Sequence, residues 1–146
     1  MKNKKWVAAS DHGGVNLRLA LIEILKSEGV DVVDLGPEPG VSVDYPDFAH
    51  PTATSVETGE SAFGILFCGS ANGVAMTANK HEGIRAGLCW LTEVAALTRL
   101  HNDANMICIP ARFVSIEAAK EMIEKFMTTA FEGGRHQNRV NKISCS

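Results

Sequence analysis

No apolar run in this 146-residue sequence approaches the ~20 residues that a helix needs to cross a bilayer. Neither sign of charge dominates, since 14 lysines and arginines stand against 17 aspartates and glutamates, a formal net charge of −3. Without a basic excess there is no general electrostatic ground for a nucleic-acid partner or an anionic membrane surface. The four cysteines (Cys68, Cys89, Cys108 and Cys145) lack the paired spacings of zinc sites and dithiol redox centres. They read as free thiols in a reducing cytoplasm. The apolar stretch after MKNKK is too short for a signal peptide. No linker, repeat or low-complexity segment interrupts the chain. Residues 1–146 therefore read as one domain, ending in a C-terminal arm from about residue 130. A chain of this length can bury close to ~70% of the surface it exposes when unfolded.

What is present is an alternation of short apolar runs with longer amphipathic ones. Trp6–Ala9 reads as a strand, and after Gly13-Gly14 a helix runs to about Lys26. Leu17, Ala20, Leu21, Ile24 and Leu25 fall on one face of that helix, and Gly29 suits its stop. Val30–Leu35, Ala62–Phe67, Ile84–Leu88 and Asn105–Ile109 supply four further strands. Helices are expected after DYPDFAH and around Thr92–His101 and Ser115–Thr128. The near-continuous apolar character of the third strand suits a parallel strand covered on both faces. The fold class expected is α/β: a flavodoxin- or Rossmann-like three-layer fold, with a five-stranded parallel sheet and helices on both faces. A flavodoxin-like order puts strand 2 and strand 3 on either side of strand 1, and ligands then bind beyond the strand 1 and strand 3 ends.

Two loops follow those ends. The first is Ser10-Asp11-His12-Gly13-Gly14; the second is Cys68-Gly69-Ser70-Ala71-Asn72-Gly73. A helix after the second loop would turn its amides towards Cys68 and favour a thiolate, able to act as nucleophile or base. A lone cysteine after a strand is, however, more often core filling. The second loop lacks the Gly-Lys-Ser/Thr of a nucleotide-binding loop and the glycine spacing of dinucleotide sites. Val74 stands where a cysteine phosphatase carries arginine. His12 and His101 are singly more often capping or solvent-facing, but beside a thiol a histidine can donate a proton. Arg135 and Arg139, four apart after Gly133-Gly134, would share a helix face and could grip a phosphate, although a solvated basic tail is the commoner outcome. Arg112 is a third candidate anion contact.

The segments DHGG, DYPDFA, ILFCGSANG, ANKHEGIRA, HNDANM and FEGGRHQNRV, in this order over nearly the whole chain, resemble ribose-5-phosphate isomerase type B. Allose- and galactose-6-phosphate isomerases belong to the same family. The resemblance implies cofactor-free, metal-free interconversion of ribose 5-phosphate and ribulose 5-phosphate through an enediolate, in the pentose phosphate pathway. It implies that Cys68 is the base and that His101 opens the sugar ring, with Asn102 near the substrate. Asp11 and His12 would contact the sugar. Gly69, Ser70, Ala71, Asn72 and Gly73 would cradle the enediolate oxygens, and Arg112, Arg135 and Arg139 would hold the phosphate. Relatives are homodimers or homotetramers with sites between subunits, so some of these residues are expected from a partner chain. The sequence departs from the family where Ala71 replaces the usual glycine. Some relatives use a glutamate a few positions after the cysteine, where Val74 and Ala75 here offer no carboxylate. The alternatives are a hexose 6-phosphate isomerase and, from a different class, a non-catalytic sugar-phosphate-binding module.

Overall fold

A computed structural model of the chain describes residues 1–145. Five strands alternate with six helices: β1 (Lys5–Ser10), α1 (Val15–Ser27), β2 (Asp31–Asp34), α2 (Pro46–Glu57), β3 (Phe63–Cys68), α3 (Asn72–Ala78), β4 (Ala86–Leu88), α4 (Thr92–Asn102), β5 (Met106–Pro110), α5 (Ile116–Thr128) and α6 (Arg135–Val140). The strands form one parallel sheet in the order β2-β1-β3-β5-β4. Side chains alternate across it, as the pleat requires. Trp6, Ala8, Ile65, Phe67, Ile107 and Ile109 face α1, α4 and α5. Val7, Ala9, Leu66, Cys68, Met106 and Cys108 face α2 and α3. Burial on both faces explains why β3 and β5 read as unbroken apolar runs.

The switch point lies between β1 and β3, as expected, but the far edge departs from the flavodoxin order, in which β4 would pair with β3. Here β5 lies between β3 and β4. The physical reason is burial: β5 is buried along all five residues, whereas the three residues of β4 are only half-buried. The shorter strand takes the edge. The apolar stripe of α1 is also rotated from its expected position. Leu17, Leu21, Ile22 and Leu25 are buried together with Arg18, while Ala20 and Ile24 are only partly covered.

Two local features fix the crevice. Gly14, at the end of a single 3-10 turn (His12–Gly14), lies so close to β3 that an added methyl would come 2.5 Å from the Phe67 carbonyl oxygen. Only a residue without Cβ lets the first loop press against β3. Arg18 is 2% exposed and donates to Ser10 Oγ (2.5 Å) and the Pro37 carbonyl (2.6 Å). Its Nε is 3.1 Å from Asp34 Oδ1, an ion-pair contact without hydrogen-bond alignment. This one guanidinium ties the end of β1 to the end of β2 and the loop beyond it.

Strand direction decides what can meet in one chain. Ser10 is level with Phe67, and Cys68 with Pro110, so these residues share the carboxyl-terminal edge of the sheet. Gly64 and Ala86 are level with Met106 at the opposite edge. Helix α4 runs back to that opposite edge and ends at Asn102, four residues before β5 begins. The four steps from Met106 to Pro110, at ~3.3 Å each, separate the two edges by about 13 Å.

Candidate active site

The strand β3 delivers Cys68 to the switch point with only 7% of its surface exposed. Its Sγ donates to Asp11 Oδ2 across 3.1 Å. The other Asp11 oxygen accepts the Gly14 N–H (3.0 Å), and the Asp11 N–H donates to the Phe67 carbonyl (3.2 Å), so the carboxylate is held from both ends. Burial, then the Asp11 hydrogen bond and charge, push the thiol from its ordinary 9.0 up to about 11. The Ala71 and Gly69 amides pull the other way. They are outweighed. The thiolate expected from helix amides alone is therefore corrected: at neutral pH Cys68 rests as a thiol donating to a carboxylate.

The loop after Cys68 supplies the rest of this cluster. The Gly69 carbonyl accepts the Arg112 N–H (3.1 Å), and the Cys68 carbonyl accepts that of Ala111 (2.8 Å). The Arg112 guanidinium passes over Gly69, where an added methyl would meet Nη2 at 3.6 Å. Ser70 and Asn72 are exposed, and Ser70 Oγ accepts the Asn72 N–H (3.3 Å). Ala71 adopts φ 64°, the left-handed conformation, and its methyl is fully buried against the α2 and α3 core. The methyl thus faces away from the open crevice, at a backbone cost of about 1 kcal/mol. His12 is exposed, with Nδ1 3.3 Å from the Val43 N–H nitrogen. Tyr45 lies against Gly73, where an added methyl would come within 2.5 Å of the ring. No role for Tyr45 was read from the sequence, although DYPDFA contains it.

A second cluster gathers at the opposite edge. His101, in the last turn of α4, stacks on His136 of α6 with ring centroids 4.2 Å apart and planes inclined by 14°. The Glu132 carboxylate approaches both rings: Oε2 is 3.9 Å from His101 Nε2 and 3.7 Å from His136 Nε2. The Glu132 N–H donates to the Leu100 carbonyl (3.1 Å) and docks the arm on α4. Gly133 and Gly134, at φ 72° and 57°, turn the chain into α6, which carries Arg135 and Arg139. Burial, with the His101 and Arg135 charges, lowers the pKa of His136 despite the opposing Glu132 charge. Sequence spacing gave no sign of this three-residue cluster. Glu132 and His136 are four apart but split by two glycines, and His101 is remote in sequence.

The predicted site residues thus fall into two groups. Asp11, His12, Cys68, the Gly69–Gly73 loop and Arg112 assemble at one edge of the sheet. His101, Asn102, Arg135 and Arg139 belong to the other. Within one chain His101 is not beside Cys68, because α4 runs antiparallel to β3. A cavity of about 460 Å³ opens between β1, β2 and α2, lined by Lys5, His50, Thr54 and Glu60 among others. A smaller one of about 380 Å³ adjoins the crevice at Gly13, Asn16, Ala111 and Ser115. Neither Asp11 nor Cys68 lines the larger one. His50 meets His81 (2.8 Å), and His81 is 3.3 Å from Glu57, which accepts the Gly83 N–H (2.7 Å). That chain pins the loop after α3 to α2.

Comparison with known proteins matches residues 7–143 to the family Ribose/Galactose Isomerase. Ribose-5-phosphate isomerase B of Escherichia coli (strain K12) is 39% identical over 141 residues, 97% of this chain and 95% of that protein. The crystal structure of a ribose 5-phosphate isomerase from Thermotoga maritima superposes with a TM-score of 0.96 at 39% identity, covering 97% of this chain and 98% of that one. The enzyme of Mycoplasma genitalium, solved with bound ribulose-5-phosphate, gives 0.91 at 42% identity, covering 95% and 93%.

Proposed function

The chain belongs to the ribose/galactose isomerase family, and from that premise we propose that it interconverts ribose 5-phosphate and ribulose 5-phosphate as a cytoplasmic, single-domain enzyme acting at least as a homodimer. The observation that carries the reading is the Cys68–Asp11 contact at the β1/β3 crevice. Moving a proton between adjacent sugar carbons needs a base that can take and return it. On substrate binding, the Sγ proton passes to Asp11 Oδ2. The thiolate then removes the C2 proton of the open-chain aldose. The electron pair forms the C1–C2 double bond, and the carbonyl oxygen becomes the enediolate oxygen. The O2 hydroxyl proton passes to O1, and return of the carbon-bound proton from Sγ to C1, as the C2–O bond becomes the carbonyl, gives the ketose. Amides of the Gly69–Gly73 loop stabilise the developing oxyanion. Arg112, Arg135 and Arg139 hold the phosphate, whose binding energy positions C1 and C2 against the thiol.

Ring opening requires an acid, and His101 is the candidate. Its place at the opposite edge of its own sheet supports a site built from two chains, with His101, Asn102, Arg135 and Arg139 contributed by a partner to the Cys68 cluster. A hexose 6-phosphate is the competing substrate, since the family includes isomerases of galactose derivatives by its description. The test is a panel of ribose 5-phosphate, allose 6-phosphate and galactose 6-phosphate compared by kcat/KM. Ribose 5-phosphate is expected to lead by at least about tenfold, a 1.4 kcal/mol difference in transition-state binding. A hexose phosphate in first place would overturn the substrate, and no turnover of any would favour a binding module.

A further inference from the structure

We propose that His101, Glu132 and His136 form a site for one divalent transition cation of the zinc type. Two imidazoles and one carboxylate are a donor set that zinc accepts, leaving a fourth position open. The three donor atoms lie within 4.8 Å of one another. A tetrahedral cation with bonds of 2.0–2.1 Å holds its ligand atoms about 3.4 Å apart. The observed separations from Glu132 Oε2, 3.9 Å and 3.7 Å, are within about half an ångström of that spacing.

An independent observation points to a ligand. His136 is 6% exposed, and its Nε2 is buried with no hydrogen-bond partner among the described residues. An unpaired buried nitrogen is costly and calls for an explanation. It lies on the Glu132 side of the cluster, where a cation bound by Glu132 and His101 would satisfy it. With ring planes inclined by only 14°, one ring must turn well out of the stack for both nitrogens to converge on one ion. His101 and Glu132, with side chains 39% and 54% exposed, have room to do so, whereas His136 is the fixed anchor.

The cation takes no part in the isomerisation. It occupies His101, and so blocks the reaction; this consequence rests on the role proposed for His101, whereas the binding itself does not. The exposed thiol of Cys145 would compete for zinc, so the test uses the full chain carrying Cys145→Ser. Calorimetric titration with Zn²⁺ alone is expected to give one ion per chain with micromolar affinity, and Mg²⁺ to give no heat. His136→Gln and Glu132→Gln should each weaken Zn²⁺ binding by at least about tenfold, with unchanged circular dichroism. Glu132 is exposed, so its substitution keeps the test sound if the His136 variant misfolds. Co²⁺ in place of Zn²⁺ should show d–d bands without thiolate charge transfer. Zn²⁺ should abolish turnover, and a chelator should restore it. Binding that survives both substitutions, or a thiolate band placing the ion on Cys68, would overturn the site. Zn²⁺ binding without inhibition would leave the site standing and remove His101 from the reaction.

Discussion

Cys68 shows how one neighbour sets the chemistry of a thiol. With its pKa raised to about 11, only about one molecule in ten thousand carries the thiolate at pH 7. Asp11 causes part of that rise and, in the proposed mechanism, also accepts the thiol proton. Asp11→Asn separates the two functions. Loss of the carboxylate charge should lower the thiol pKa, read from thiolate absorbance, while kcat falls by about 10² or more because the proton has no acceptor. Stability supplies the third readout. A thiol whose folded pKa is raised stabilises the fold fully below its ordinary value of 9.0, and that contribution is lost as pH climbs through about 11. Melting temperature in the wild type should therefore fall between pH 9 and 11. In Asp11→Asn the thiol's contribution to that fall should be smaller. A kcat equal to wild type in Asp11→Asn would remove Asp11 from proton transfer.

Elements with a strong apolar period were legible in the sequence, because burial on one or both sheet faces leaves a periodic trace. All five strands and the main helices were found to within a few residues, and α6 forms beyond the expected Gly133-Gly134 break. The order of β4 and β5 was not legible, since pairing partners are chosen by tertiary burial, which a local pattern does not encode. The same limit hid Arg18. A basic residue inside an amphipathic helix reads as solvated, yet here three groups from β1, β2 and the following loop converge on it. At the site, residues close in sequence, such as the Gly69–Gly73 loop, were legible as a unit. The His101–Glu132–His136 cluster, assembled from α4 and the arm, was not. Arg18→Met keeps the length and loses the charge, leaving Ser10, Asp34 and the Pro37 carbonyl without their common partner. It should cost about 3–5 kcal/mol in chemical denaturation, the usual cost of removing one member of a buried ionic network. A loss below about 1 kcal/mol would mean that the crevice is fixed by Gly14 and the sheet alone.

On the scale of the whole molecule, the distribution of the candidate residues matters most. The Cys68 cluster and the His101 cluster occupy opposite edges of one sheet, about 13 Å apart along the strands. No helix is long and apolar enough to cross a membrane among the described residues. In the proposed pairing, each chain lends a base to one site and an acid to the other. Mixing subunits tests this directly. Cys68→Ala and His101→Ala homodimers should each be inactive, whereas exchange between them should restore about a quarter of wild-type activity, since half the dimers are mixed and one of their two sites is intact. Activity that stays at zero after verified exchange would refute shared sites.

The opposed positions of Cys68 and His101 also have a genetic consequence. In the proposed pairing, a cell that makes wild-type and variant chains together would have one of the two sites of every mixed pair spoiled by a variant lacking only Cys68. A variant lacking both Cys68 and His101 would spoil both, although the homodimer it forms would be no less active than that of the single variant. Dominance would therefore track how many halves a single allele damages, independently of how inactive its product is when pure.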